Sequence, residues 1–513
     1  MYGRHFMKVT GMLSRASLAL VAVVLAFIVG VFRLVQPLGT PYTSVGDLAF
    51  IELGVRQALH HGTALGVYSR FGWHHPGPAL FYLLAPWYWL TGESSRGLFL
   101  GALVVNGTCA LGVVAVVRRS AGERAARLTA MLVFAFVVIV GFGAVMDAWN
   151  PKLLALPMLL LMVTAAASYA GSAWALVGAL AVASYLVQTH IGTIPATAGL
   201  VVLALVGFVR DRVRRTELRP SLRVPLIVAA SVLALAWIGP LVQEVTHGNG
   251  NLSKTASFYR HPGSANATSH SLRSSIVVVS NHATVLPFGR PKDTRGDAKR
   301  ELAFTAFAAL GLVAAFVARR RAPFVAALGL TTTIGLVVAV LAATRVIGPQ
   351  DGFLFYWTEL VPVPAIVAGA WIAMDRFTDR RVVRSFDVAV AVGLVVLAAF
   401  SIRTMAQGKP TTTGDAPGAR AVAQSLERAA GTTKERFILH VGTPRIDQGA
   451  LSVQLDKDGY QFRLEPPVNL YGGNVTGDVH GPTFEVRDVG TPGPPGSAER
   501  FVATVGKVAI SVH

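Results

Sequence analysis

Long apolar runs separated by short basic clusters dominate this chain, with two polar gaps wide enough to carry structure of their own. Eleven runs reach or approach the ~20 residues that an α-helix needs to cross a bilayer. They are 17–36, 97–117, 128–146, 152–170, 173–189, 192–209, 224–243, 301–318, 323–343, 354–374 and 386–403. A further apolar run, 78–90, is too short to cross and rich in Trp, Tyr and Pro, which suits the headgroup region. In front of it Leu48, Ile51, Val55 and Leu59 fall three to four apart, the stripe of a short two-faced helix opened by Asp47 and closed by Gly62. Both pieces are expected to lie on the membrane surface.

After residue 403 the pattern changes. Polar residues with Pro and Gly punctuation predict a helix over 415–430 and strands over 437–441, 451–455, 460–464 and 501–512. The expected architecture is an all-α polytopic membrane domain over 1–403, with about eleven transmembrane helices and juxtamembrane helices. A small α+β domain over 404–513 follows, long enough for its own core. The two wide gaps are the loops 37–96 and 244–300, and a run at 276–286 in the second predicts another surface helix.

Composition narrows the class. With 53% hydrophobic and 14% charged residues among 513, the chain is not an ordinary soluble protein. A net charge of +19 suggests nucleic acid at first sight, but the arginines fall in alternate loops. Arg118, Arg119, Arg124 and Arg127 fill one such loop, Arg210 to Arg215 the next, then Arg319 to Arg321, then Arg376 to Arg384. That is the distribution of topology signals, so nucleic acid is not an expected partner. It places the amino terminus in the cytoplasm of a multi-pass plasma (inner) membrane protein, with both long loops and 404–513 outside. The first run lacks a small-residue cleavage site and reads as a span rather than a signal peptide. A single cysteine, Cys109, excludes a disulfide framework and a thiolate metal site.

The densest chemistry lies in the first loop: Asp47, Glu52, His60, His61, Trp73, His74 and His75. Asp47 can be read simply as a helix cap, and Glu52 as an i,i+4 partner of Arg56. Further polar residues sit at outer ends of spans: Asp147 and Asn150, Gln188 and His190, then Arg345, Asp351 and Glu359. Polar groups at membrane depth are costly, so each is a site candidate, with loop solvation or helix–helix hydrogen bonding as the alternative.

The order of these features resembles a known family. Asp47 is followed by His75-Pro76-Gly77-Pro78 leading into an aromatic helix that ends at Gly92. Then come Arg118-Arg119 and Gly122-Glu123-Arg124-Ala125-Ala126. Over residues 40–170 this resembles the membrane glycosyltransferases of the GT-C fold, in the protein mannosyltransferase and aminoarabinose transferase branch. The resemblance implies an enzyme that moves a sugar from a polyprenyl-phosphate donor to an extracytoplasmic glycan, lipid or protein acceptor. Asp47 is then the expected general base, with Glu52 as the second catalytic carboxylate. Arg345, with Lys254 and Arg260 as second choices, is expected at the leaving phosphate. Trp73, His74, His75, Asp147, Asn150, Gln188, His190 and Glu359 are the expected substrate contacts. Glu52 could orient acceptor hydroxyls or, with His60, His61, His74 or His75, hold a divalent metal, His60 and His61 being the first choices. The competing readings are a flippase for lipid-linked sugar and a non-catalytic envelope protein that holds glycan; the flippase would call for internal repeats and broken helices, which the sequence does not display.

Overall fold

The computed structural model describes residues 17–37, 39, 41–69, 71–214, 222–261, 270–293, 295–377, 379–407, 416–430, 436–465, 482–489 and 500–512. Its elements, in order, are α1 (Leu18–Val35), α2 (Gly46–His60), α3 (Ala79–Leu90), α4 (Gly97–Ala121), α5 (Glu123–Val140), α6 (Ala155–Tyr169), α7 (Ala173–Thr189), α8 (Ile194–Arg214) and α9 (Arg223–Thr246). Then follow α10 (Asn251–Arg260), α11 (Leu272–Ala283), α12 (Ala298–Ala318), α13 (Pro323–Ala343), α14 (Val363–Arg376) and α15 (Arg380–Gln407). The last part holds α16 (Pro417–Ala430), β1 (Phe437–Val441), α17 (Gln448–Lys457), β2 (Phe462–Glu465), β3 (Thr483–Asp488), β4 (Arg500–Val505) and β5 (Val508–Val512).

Among the described residues nine helical segments are long and apolar enough to cross a membrane. The two other expected spans are α5, which opens on Glu123, Arg124 and Arg127, and α7, which has 17 residues. This is a multi-pass membrane protein. The segment holding α6 is the most buried of the spans, and α6 carries no charged residue on any side. A helix that is apolar all round belongs in the centre, and α4, α7, α8 and α13 surround it. α9, by contrast, leaves Leu235, Ile238 and Val245 exposed, the surface expected to meet lipid. α12 and α13 meet where Gly311 faces Gly329, and a Cβ at either would come within 2.7 Å of the other's carbonyl oxygen. Small residues are what allow such close approach in a bilayer, where helices gain nothing by merely being apolar.

The first loop folds into α2 and α3, which pack on each other. At 12 residues α3 is about 18 Å long, too short to span. It also rests on α4 and α7, while Leu83, Trp89 and Leu90 stay exposed. α2 begins one residue before Asp47, so the expected cap role is not the one Asp47 plays. Val45 holds the cap position without a side-chain bond, and Asp47 lies in the first turn.

The C-terminal part is a five-stranded sheet of order β2-β1-β3-β5-β4. β1 is parallel to both β2 and β3, whereas β5 is antiparallel to β3 and β4. Its core gathers Val422, Leu426, Phe437, Phe462, Phe484 and Ile510. The expected strand at 451–455 is instead part of helix α17. Leu451 and Leu455 enter the core of the sheet while Val453 enters the core of the membrane part. An alternation that looks like one buried strand face is a helix wedged between two cores. The central strand β3 was not expected from the sequence at all.

Candidate functional site

Three groups of polar side chains converge on the side of the molecule where α2 begins. In the first, the short helix Asn150–Leu153 and the turn before it bring Asp147, Trp149 and Lys152 to Asp47. Trp149 donates from its indole Nε1 to Asp47 Oδ2 at 2.9 Å. The backbone N–H of Trp149 donates to Asp147 Oδ1 at 3.0 Å, and Lys152 Nζ donates to Asp147 Oδ2 at 2.6 Å. Asp47 is exposed, while Asp147 is buried. Asn150 donates from Nδ2 to the Thr189 carbonyl at 3.1 Å, which ties this turn to the end of α7. The Pro151 that follows Asn150 suits the first turn of the short helix.

The second group extends the first inward. A narrow cavity is lined by Asn106, Lys152, Arg290, Tyr356 and Glu359. Arg290 forks onto Glu359, Nε to Oε1 at 3.1 Å and Nη2 to Oε2 at 3.2 Å, and lies over the Tyr356 ring. Glu359 is buried, and His282 Nδ1 stands 3.8 Å from its Oε1. Arg290 leaves the turn after Val285–Phe288, whose end is fixed by Arg300 donating to the Phe288 and Gly289 carbonyls. Two cations, each already paired with a carboxylate, therefore share one cavity. The cavity holds only about 10 Å³ of free volume, and the donors on its wall are preorganised rather than mobile.

The third group is imidazole-rich. The His75 and His190 rings meet at a tilt of 32° with centroids 4.9 Å apart, and each accepts a backbone N–H through Nδ1, from Ile191 and Gly192 respectively. Gln188 accepts from Ala79 N and donates to the Ala236 carbonyl, so it joins α3 to α9. Asn251 binds His74 N and both the His74 and His75 carbonyls. Trp73 packs between Phe71, Phe258 and Tyr259, with its indole N–H buried and unpartnered among the described residues. Burial, then His190, then His74 hold the His75 ring well below the usual imidazole range.

Glu52 lies apart from all three groups. Fully buried, it accepts from Ser44, from Tyr88 Oη at 2.9 Å and from Ser95 Oγ at 2.9 Å, and pairs with Lys457 Nζ at 2.7 Å. Burial and the Glu52 charge push the Tyr88 phenol up, which keeps it a donor. The expected pairing of Glu52 with Arg56 gives way to this cage, and Arg56 binds Glu93 and Asp456 instead.

The expected phosphate cations Arg345, Lys254 and Arg260 are exposed and make no side-chain hydrogen bond or ion pair among the described residues. Lys152 and Arg290 were missed. Lys152 stands five residues after Asp147 in a turn already singled out, and Arg290 follows the expected 276–286 helix, so local signals for both existed. His60 faces Glu93 Oε1 at 2.9 Å, but that carboxylate also serves Arg56. Among the described residues no three His, Cys, Asp or Glu side chains gather as a metal would require. His60 and His61 therefore do not fit a divalent ion.

A helical membrane bundle with short helices in its first loop and a small sheet at its end is a GT-C-like fold. Two crystal structures of ArnT from Cupriavidus metallidurans share it. One is bound to undecaprenyl phosphate, is 15% identical, and matches over 96% of this chain and 97% of that one with a TM-score of 0.54. The other, in the apo state, is 15% identical and matches over 98% of each chain with a TM-score of 0.55. No family model and no curated protein matches the sequence.

Proposed function

We propose that this protein is a membrane glycosyltransferase that moves a sugar from a polyprenyl-phosphate donor to an extracytoplasmic glycan, lipid or protein acceptor. The observation that carries the reading is the exposed carboxylate of Asp47, fixed by Trp149 beside the cavity that holds Lys152 and Arg290. Its support from outside the chain is the fold shared with a protein crystallised on undecaprenyl phosphate. Asp47 takes the proton of the acceptor hydroxyl as its oxygen bonds to the anomeric carbon. The anomeric carbon–oxygen bond to phosphate breaks, and the lipid phosphate leaves with the electron pair. Lys152 and Arg290 meet its growing charge by exchanging part of their pairing with Asp147 and Glu359. This assignment replaces Arg345, Lys254 and Arg260 at the phosphate, because Lys152 and Arg290 line one cavity and those three are exposed. Glu52, sealed in its cage, is a scaffold rather than a second base. His75, His190, Gln188, Asn150 and Trp73 shape the walls around the acceptor. On the topology argued from the arginine clusters, the amino terminus is cytoplasmic. Residues 1–403 are then the membrane domain and 404–513 an outer-face domain.

The test is donor consumption by purified protein given radiolabelled polyprenyl-phosphate sugars and candidate acceptors. Asp47→Asn is expected to keep its fold and lose 10²–10⁴-fold in rate, about the usual worth of a positioned base. Wild-type turnover by that variant removes Asp47 from the role. Donor carried across vesicles without being consumed overturns the enzyme in favour of a flippase.

A further inference from the structure

The helix that carries Asp47 has no cap of its own. Val45 offers no side-chain bond, and the neighbouring Ser44 is committed to Glu52. The missing acceptor comes from the far end of the chain. Asp447 Oδ2 accepts from the Gly46 N–H at 2.9 Å, while its Oδ1 accepts from Ala450 N at 2.7 Å as the cap of α17. One carboxylate thus closes two helix N-termini, its own and that of α2. Gly46 sits at φ +54, and the residue after it is Asp47. A negative group at a helix start is favoured by the helix dipole, and here it also fixes the backbone that aims the neighbouring side chain.

The rest of α17 continues the clasp. Gly449 lies against Ala49 and the Gly46 carbonyl; further along, Asp456 meets Arg56 and Lys457 meets Glu52. Arg420 Nη1 of α16 adds a bond to Thr43 Oγ1 at 2.8 Å, just ahead of α2. These contacts tie the sheet-bearing part to the first loop along the whole of α2.

We propose that Asp447 is a positioning residue for the transfer reaction: the C-terminal part caps α2 in trans and thereby holds Asp47 in its working orientation. The proposal rests on the reading of Asp47 as the base. A displacement of the order of 1 Å at a reacting group can cost about 10²-fold, so a cap on the adjacent residue is enough to matter.

The full-length protein in detergent, turning over a radiolabelled polyprenyl-phosphate sugar, tests this with Asp447→Asn. The amide oxygen can still cap α17, whereas its NH₂ group then confronts the Gly46 N–H, so the fold survives and only the bond in trans is lost. Expected is a 10- to 100-fold fall in kcat with KM for the donor within twofold and an unchanged melting curve. In an Asp47→Asn background the same change should produce no further loss, since there is no base left to aim. A wild-type kcat for Asp447→Asn, or a multiplicative loss in the double variant, overturns the proposal. Asp47→Asn measured alongside separates the two claims. If it is slow and Asp447→Asn is not, only the positioning role falls. If Asp47→Asn itself is fast, the base assignment falls, and the positioning role with it.

Discussion

At the start of α2 the Asp47 carboxylate is exposed and takes one hydrogen bond, from Trp149; among the described residues its Oδ1 accepts none. Five residues on, Glu52 is 0% exposed and takes contacts from Ser44, Tyr88, Ser95 and Lys457. The two acids have the same chemistry and the same helix, and their surroundings assign them opposite work. A carboxylate whose oxygens are all engaged, with a cation against it, cannot reach a substrate. One held from a single side keeps both the access and the acceptor capacity that a base requires. Sequence treats them as near-equivalent candidates, and only the packing of α3 and α17 against α2 separates them.

The contrast breaks most visibly at Glu52. Glu52→Gln leaves Lys457 and Ser95 without their anionic partner inside a closed site, and breaking a buried pair one-sidedly is strongly destabilising. Because Lys457 keeps 22% of its side chain exposed, a loss on the order of 2–4 kcal/mol is expected. Thermal melting in detergent reads it, and adding Lys457→Met should restore most of the difference. Asp47→Asn should leave the same melting curve in place. If Glu52→Gln melts like wild type while losing turnover, Glu52 is working as an acid or base and the scaffold assignment is wrong.

Next in size is the contact that brings the two helices together. A Cβ at Gly449 would stand 2.9 Å from the Ala49 Cβ and 3.3 Å from the Gly46 carbonyl oxygen, and neither can swing away. Gly449→Val should push α17 off α2 and cost roughly 1–3 kcal/mol, as overpacking typically does. Protease protection of the 404–513 part should fall together with kcat. Full protection and full activity in Gly449→Val would mean that the close approach is not needed.

Much of the framework was legible because it depends on local pattern. Apolar runs marked the spans, the Leu48–Leu59 stripe marked α2, and the short aromatic run marked α3. The misreadings have a common cause in pairings between distant segments. Leu451, Val453 and Leu455 alternate like a strand, but they point into two cores that lie on opposite sides of α17. β3 has its place fixed by its neighbours β1 and β5, which come from elsewhere in the chain. Arg56 looked like the partner of Glu52 at helical spacing, yet Asp456 and Lys457, some 400 residues on, take those two charges. Arg290 stands just after an expected surface helix, but only the fold sets it on Glu359 and in one cavity with Lys152. Asp47 itself stood out from its position alone, although the Trp149 that holds it did not.

The smallest expected effect lies in the imidazole pair and shows as a pH slope. His75 and His190 are both nearly buried, and each uses Nδ1 to accept a backbone N–H, so both are neutral with the proton on Nε2. Burial brings His190 down from 6.5 to about 4; burial, with His190 and His74 nearby, lowers His75 as well. The unfolded chain binds these protons near pH 6.5, whereas in the folded protein His190 resists its proton until about pH 4 and His75 resists its own to well below 6.5. Stability from this pair is therefore whole above pH 6.5 and declines as the pH falls toward about 4, where the His190 share is lost. Melting temperature should drop by a few degrees across that window. His190→Asn retains an acceptor for the Gly192 N–H but cannot titrate, so it should flatten part of the slope while leaving the value at pH 7.5 nearly unchanged. A His190→Asn curve that parallels wild type from pH 7 to pH 4 would assign the acid sensitivity to the carboxylates instead. The His75–His190 contact would then be packing alone.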